Sequence, residues 1–142
     1  MSLDLIEAFD RIDWLSVIVA TVVAIAIGSV WYHEKVMGAD WMKAVGLKKK
    51  DLEKADMKQS MGGMTIGTLL QAAGLGILIE ATGATDIGDT VALAGFIAIF
   101  FVLTTMSTNI LFEQRDHKVF FINAGHVLFT FIAMGLVYGL YA

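Results

Sequence analysis

Four long apolar runs dominate this chain, and each is long enough to form a membrane-spanning helix. They cover residues 14–32, 61–81, 89–112 and 119–141, and polar loops separate them. The hydrocarbon core of a bilayer is about 30 Å thick, and roughly 20 apolar helical residues cross it. The sequence therefore predicts an all-α membrane protein, a four-transmembrane-helix bundle that forms a single domain over residues 1–142.

The distribution of charge supports this prediction. Only 17 % of the 142 residues are charged, whereas about a quarter of a typical soluble domain is charged. The charges gather around residues 4–13, 33–58 and 113–118, between the apolar runs. The chain has no cysteine and no proline, which excludes disulfides and thiolate metal ligands and favours uninterrupted helices.

The placement of lysine and arginine predicts the orientation of the four helices. Nine of the ten basic residues lie in loops 33–60 and 113–118, and only Arg11 lies on the opposite side. Because basic loops stay on the cytoplasmic side, loop 33–60 is predicted to be cytoplasmic and both termini outside. We expect the plasma membrane of a bacterium or archaeon. The acidic N-terminus lacks the features of a cleaved signal peptide.

Short interfacial helices are expected at both membrane surfaces. Apolar residues recur near helical spacing from Leu3 to Ile12, with acids between them, which indicates a helix lying in the outer interface. On the inner side, Gly38 is expected to end the helix, and Asp40 is expected to begin the next helix as its N-cap. The lysines that follow either form a solvated positive loop or bind anionic lipid.

Small residues recur at every fourth position on three of the spans. Lipid provides no hydrophobic drive between helices, so their association depends on close backbone approach. The predicted helix-packing residues are Ala20, Ala24, Gly63, Gly67, Gly135 and Gly139. They favour a tight bundle, with one glycine face available to another subunit.

Polar side chains within the spans concentrate toward the cytoplasmic side. The predicted cluster consists of Gln71, Thr105, Thr108, Asn109, Asn123, His126 and Thr130. Two interpretations remain open: a network of hydrogen bonds that holds the helices together, or a hydrated vestibule open to the cytoplasm in which His126 titrates. No metal site is predicted, because the histidines lack ligand spacing and cysteines are absent.

Two ordered motifs resemble a known family. The stretches GSVWYHEKVMGADWMKAVGL (residues 28–47) and STNILFEQRDHKVFFINAGHVLFTFIAMGLVYGL (residues 107–140) are similar to the two signatures of the small membrane proteins called domain of unknown function 1761. The signature residues matched here are Gly28, Trp31, Tyr32, Gly38, Trp41, Glu113 and Gly125. The resemblance implies the membrane fold and no established activity. His33, Glu34 and Met37 depart from the family pattern, and a family histidine near Gly125 stands one position later, at His126.

The inner ends of the third and fourth spans carry three polar residues close to the expected exit of the first span. Asn109, Glu113 and Asn123 are predicted to tie the loop between these spans to that exit through side-chain hydrogen bonds. The adjacent residues His33 and Glu34 point in different directions on a helix, so we interpret the exit as a helix boundary and not as a catalytic pair.

Three function classes compete, and the sequence disfavours an enzyme. No motif supplies a nucleophile with its base, a phosphate cradle or a metal set. We predict an oligomeric bundle that transports a small solute or ion; the alternative is a non-catalytic accessory or scaffold subunit that packs against a membrane partner. The expected partners are the lipid bilayer and a second copy or another membrane protein, with no cofactor. Nucleic-acid binding is excluded because acids interleave with the loop lysines.

Overall fold

The computed structural model describes residues 3–141, which form eight α-helices and two π-helical segments. In chain order the α-helices are α1 (Leu5–Arg11), α2 (Trp14–Trp31), α3 (Ala39–Val45), α4 (Lys49–Lys54), α5 (Met57–Thr82), α6 (Ile87–Ile97), α7 (Thr104–Phe112) and α8 (His117–Tyr141). The π-helical segment Glu34–Gly38 leads into α3, and the segment Ala98–Leu103 joins α6 to α7.

Four helical segments are long and apolar enough to cross a membrane, which indicates a membrane protein. They are Trp14–Trp31, Met57–Thr82, Ile87–Phe112 and His117–Tyr141. The predicted fold class is confirmed, and residues 3–141 contain no strand. The second span begins earlier than predicted, because Asp56 caps α5 by accepting the N–H of Gln59 at 3.1 Å, and the polar turn before Met61 is therefore helical.

Aspartate side chains begin several of the helices. Asp13 accepts the N–H of Leu15 at 3.1 Å and the hydroxyl of Ser16 at 2.6 Å, and Asp86 accepts the N–H of Asp89 at 3.0 Å. These bonds satisfy donors that the first turn of a helix leaves free. The Ser16 hydroxyl lowers the pKa of the Asp13 carboxyl, so this cap stays ionised at neutral pH.

The predicted N-cap at Asp40 is wrong. The π-helical segment runs into α3 without a break, and Gly38 has a right-handed helical backbone with φ −61° and ψ −43°. The chain turns earlier, at His33, whose Nδ1 accepts the N–H of Lys35 at 3.1 Å. Gly38 is required there for a different reason: a Cβ at this position would collide with the backbone carbonyl of Tyr32.

Helix α8 lies at the centre of the bundle, between α2 and α6, and α5 packs mainly on α2 and α1. The predicted small residues of α2 belong to the core, since Ala20 and Ala24 are 0 % and 3 % exposed. On α8, Gly135 and Gly139 face α6. A Cβ at Gly135 would lie 2.9 Å from the carbonyl oxygen of Thr90, and one at Gly139 would lie 2.7 Å from the Thr90 Oγ1.

The first half of α5 is exposed along its whole length. Every residue from Met57 to Gly67 is exposed, and a Cβ at Gly63 or Gly67 would meet no atom within 4 Å. The expected packing of these two glycines inside the bundle is therefore wrong. Only the second half of α5 is held, by α1, α2 and the Tyr138 hydroxyl, which donates to the carbonyl of Ala72 at 2.5 Å.

Helix α1 lies where a short amphipathic helix was predicted, and it packs against the second half of α5. Ala8 is fully buried in this contact, whereas Ile6 is 80 % exposed. Arg11 pairs with Glu7 at 3.1 Å and with Glu80 at 3.4 Å. These exposed ion pairs contribute little free energy of folding, so the contact of Ala8 is the stronger attachment.

Candidate functional site

A cavity of about 850 Å³ lies at the lysine-rich end of the bundle, the end that carries residues 33–58 and 113–118. Side chains from the end of α2, from α3, α4 and the start of α5, and from α7 and α8 line it. The loop between the first two spans borders the space through α3 and α4, and the cavity is open to its surroundings. We call it the vestibule cavity.

The exit of α2 and the middle of α8 form one wall of the vestibule cavity. The hydroxyl of Tyr32 donates to the Oδ1 of Asn123 at 2.6 Å. The Tyr32 ring meets the His126 ring edge to face, with centroids 5.0 Å apart, and meets the Trp41 ring in the same way at 5.8 Å. Three aromatic rings and an amide therefore share this wall, and the polar atoms of two helices reach the cavity together.

Glycines on both helices make room for this wall. The indole Nε1 of Trp31 donates to the carbonyl of Ile122 at 3.0 Å, which presses the Trp31 ring onto α8 at Gly125. A Cβ at Gly125 would lie 2.7 Å from the Trp31 Cζ2, and a Cβ at Gly28 would lie 3.2 Å from the His126 Nε2. Each helix thus carries a glycine opposite a ring of the other, an arrangement we call the α2–α8 interlock.

Tyr32 lies one residue beyond the end of α2, and it stays protonated in this setting. Burial raises the pKa of Tyr32 to about 12. The raised pKa means that the hydroxyl keeps its proton throughout the neutral range and continues to donate to Asn123. This bond is consequently insensitive to pH near neutrality and weakens only as the pH rises toward that pKa.

Replacing Tyr32 with phenylalanine is expected to lower the free energy of unfolding by about 1 kcal/mol, because the ring packing remains while the half-buried Asn123 oxygen loses its donor. The measurement is unfolding of the purified protein in detergent, followed by circular dichroism. Tyr141→Phe is the matched control, since Tyr141 is 56 % exposed. Equal stability of the two variants would contradict a contribution from the Tyr32–Asn123 bond.

The mouth of the vestibule cavity carries two acids and one base. Glu34 pairs with Lys49 at 3.7 Å, and this pair spans from the π-helical segment to α4. Glu53, one turn further along α4, also lines the cavity and forms no ion pair among residues 3–141. The two acids and one base at the mouth therefore leave one negative charge in excess.

The structure assembles only part of the predicted polar cluster. Asn123 and His126 line the vestibule cavity. Thr105 and Thr108 are exposed and bond to the carbonyls of their own helix at 2.7 Å and 3.1 Å, which satisfies their hydroxyls without another span. Gln71 is exposed on α5. The expectation that these three residues join the cluster is wrong.

Thr130, another member of the predicted cluster, is not part of the cavity lining. It is 5 % exposed, and its Oγ1 has no hydrogen-bond partner among residues 3–141. Its position on α8, one turn beyond His126, places it deeper in the bundle, among apolar neighbours of the core.

The predicted tie between the loop and the exit of α2 exists in part. Asn123 forms it, through Tyr32. Glu113 instead accepts from Arg115 at 2.6 Å within the same loop, and Asn109 is exposed without a side-chain hydrogen bond in the described part of the chain. Both residues border a smaller cleft of about 170 Å³ beside Asn123. For Glu113 the prediction is wrong, because its carboxylate pairs with Arg115 within the loop. For Asn109 it is wrong because the exposed amide forms no side-chain hydrogen bond to the exit of α2 in residues 3–141.

Several residues of the vestibule cavity were not identified from the sequence. Lys49 and Glu53 come from α4, and Met42, Met57 and Met106 come from three further helices. Charged residues and methionines near helix ends are common in membrane proteins, so the sequence contained no pattern that marked these five residues as a site. In residues 3–141 no group of three or more His, Asp or Glu side chains gathers as metal ligands.

The chain matches one known family. The sequence model described as protein of unknown function (DUF1761) matches residues 15–139. No curated protein and no solved structure matches the chain. The matched range covers all but the outermost residues of the first and fourth spans, and it contains every residue of the vestibule cavity and of the α2–α8 interlock. Gly28, Trp31 and Gly125 of the recognised motifs belong to the interlock, and Tyr32 lines the cavity. The chain belongs to the DUF1761 family.

Proposed function

We propose that this protein carries a small solute or ion across the membrane as an oligomer, and that the vestibule cavity is its entrance. One observation carries the proposal: the cavity measures about 850 Å³. Ligand sites span about 300–1,000 Å³ and are mostly apolar, with a few convergent polar groups. Asn123 and His126 supply such groups at a depth where polar side chains commonly mark a solute path.

The lysine-rich end faces the cytoplasm in this proposal. Nine of the ten basic residues lie at that end, and basic loops remain on the cytoplasmic side of a membrane. Both termini then lie outside, in a bacterial or archaeal plasma membrane, and the vestibule cavity opens to the cytoplasm. A solute would meet Glu34, Lys49 and Glu53 first and His126 further in.

The exposed half of α5 supports an oligomer. The vestibule cavity of one chain lies at a single end of the bundle, and a continuous path needs helices from further copies. The open face around Gly63 and Gly67 has the small-residue spacing through which membrane helices approach closely. The same face supports the second candidate, a non-catalytic accessory subunit in which another membrane protein covers α5. Neither candidate requires catalysis.

The test is ion flux into liposomes that contain the purified protein and a trapped pH-sensitive dye. We expect a rate above that of protein-free liposomes, and a decrease of about tenfold in His126→Leu, which removes the one polar ring on the α8 side of the path. Gln71→Leu is the matched control, because Gln71 is exposed on α5 outside the cavity, and its rate should equal that of the wild type.

Two results would count against transport of ions. Background flux in the wild type would reject it and favour the accessory role, provided that circular dichroism shows the reconstituted protein to be helical. Equal losses in His126→Leu and Gln71→Leu would reject the vestibule cavity as the entrance, because the control residue does not line it.

A further inference from the structure

We propose that the vestibule cavity binds an amphipathic organic cation, a molecule with an apolar body and one positively charged head. This inference deepens the proposed function, on which it rests for the solute's passage, and names the class of solute. Binding at equilibrium can be measured without transport, so the two can fail separately.

The apolar body is accommodated by flexible side chains from several helices. Met42, Met57 and Met106 belong to α3, α5 and α7, and Leu52 and Val127 add branched surface between them. Thioether side chains are unbranched and polarizable, so they adapt to ligands of different shape and contact aromatic bodies favourably. A wall built from three methionines therefore suits a class of apolar bodies better than one rigid shape.

The positive head is attracted by aromatic rings and by one carboxylate. The rings of Tyr32 and Trp41 line the cavity with their centroids 5.8 Å apart, and the faces of such rings attract cations. Glu53 adds a negative charge that no ion pair among residues 3–141 compensates. Rings and carboxylate together match a cationic head more closely than a neutral polar one.

The lysines of the surrounding loop do not reverse this preference. Lys49 is the one lysine in the lining, and it pairs with Glu34 at 3.7 Å. The remaining lysines of the loop do not line the cavity, and water and salt screen exposed charges. An anion would enter a lining in which the two carboxylates outnumber the one lysine.

The chain has no cysteine, so a single introduced thiol reports on the cavity directly. Val127→Cys and Met106→Cys place a thiol in the lining on two different helices. Ile66→Cys is the control, because Ile66 is 62 % exposed on the open half of α5 at a similar depth from the lysine-rich end. Each variant is labelled with N-ethylmaleimide in lipid nanodiscs after gel filtration and circular dichroism show it to be folded.

The probes are tetraphenylphosphonium and tetraphenylborate, which have nearly the same size and apolar surface and opposite charge. At about ten times its dissociation constant, a bound ligand occupies the site enough to slow labelling about tenfold. We expect tetraphenylphosphonium to slow the labelling of Val127→Cys and Met106→Cys by this factor and to leave Ile66→Cys unchanged. Tetraphenylborate should have no comparable effect on either lining thiol.

Glu53 provides the second arm of the test. In the Val127→Cys background, Glu53→Gln is expected to raise the half-protecting concentration of tetraphenylphosphonium about tenfold, the equivalent of one charge contact, whereas Glu53→Asp should raise it much less.

Protection by both ions, by tetraphenylborate alone or by neither would overturn the proposal. Protection by the cation without flux in liposomes would support the site and reject transport; flux without protection would reject the cation site alone.

Discussion

Replacing Gly135 with alanine is expected to lower the free energy of unfolding by about 1–3 kcal/mol, the range for overpacking a close contact. The added Cβ would lie 2.9 Å from the carbonyl oxygen of Thr90 and 3.1 Å from the Cα of Val91. Both are backbone atoms of α6, which cannot rotate away as a side chain can. The two most extensively packed helices, α6 and α8, would have to separate.

Gly95→Ala, on α6, is the matched control for this change. A Cβ at Gly95 meets no atom within 4 Å, so alanine there removes only the conformational cost of glycine and should gain up to about 1 kcal/mol. Unfolding of both variants in the same detergent, monitored by circular dichroism, measures the difference. Equal stability of the Gly135→Ala variant and the wild type would contradict close packing of α8 on α6.

Replacing Gly125 with alanine is expected to cost about 1–3 kcal/mol of overpacking, with a further loss of about 1 kcal/mol if the Trp31–Ile122 hydrogen bond breaks. The added Cβ would lie 2.7 Å from the Trp31 Cζ2. The ring cannot simply move away, because its Nε1 is held 3.0 Å from the carbonyl of Ile122. Trp31 fluorescence, measured with Trp14 and Trp41 replaced by phenylalanine, should shift as the ring is displaced.

A double-mutant cycle isolates this contact. Combining Gly125→Ala with Trp31→Phe should be less destabilising than the sum of the two changes, because the smaller ring vacates the space that the new methyl group needs. Gly74→Ala, at a position with no atom within 4 Å of a Cβ, should combine additively with Trp31→Phe. Strict additivity in both combinations would contradict the α2–α8 interlock.

The sequence predicted the spanning helices because hydropathy is a local property. A helix in lipid satisfies its own backbone hydrogen bonds and needs only about 20 apolar residues, so each span can be recognised without its neighbours. The residues at which the helices begin were predicted less well than the spans themselves. Asp56 extended α5 into a polar turn, and Asp40 did not act as a cap. In both cases the backbone conformation around the aspartate decided whether its carboxylate could accept a hydrogen bond from a free N–H of a first helical turn.

Contacts between helices were predicted less well, because glycine spacing does not say which face meets a neighbour. Gly135 and Gly67 belong to equivalent patterns, yet one is pressed against α6 and the other is open. The spacing of polar residues likewise does not say which of them bond to another helix. Thr108 satisfies its hydroxyl within its own helix, whereas Asn123 meets Tyr32 from another span. Only the relative rotation of the helices separates these cases.

The amino-acid sequence by itself determined the all-α fold, the four spans, the segregation of basic residues to one end and the family. Each follows from the composition of a short stretch or from an ordered motif. The tertiary structure alone decided that α4 borders the vestibule cavity, with Lys49 and Glu53 in its lining, and that the first half of α5 stays exposed. These features depend on how side chains distant in sequence fit together, because shape complementarity between helices is a property of pairs of surfaces and not of either sequence alone.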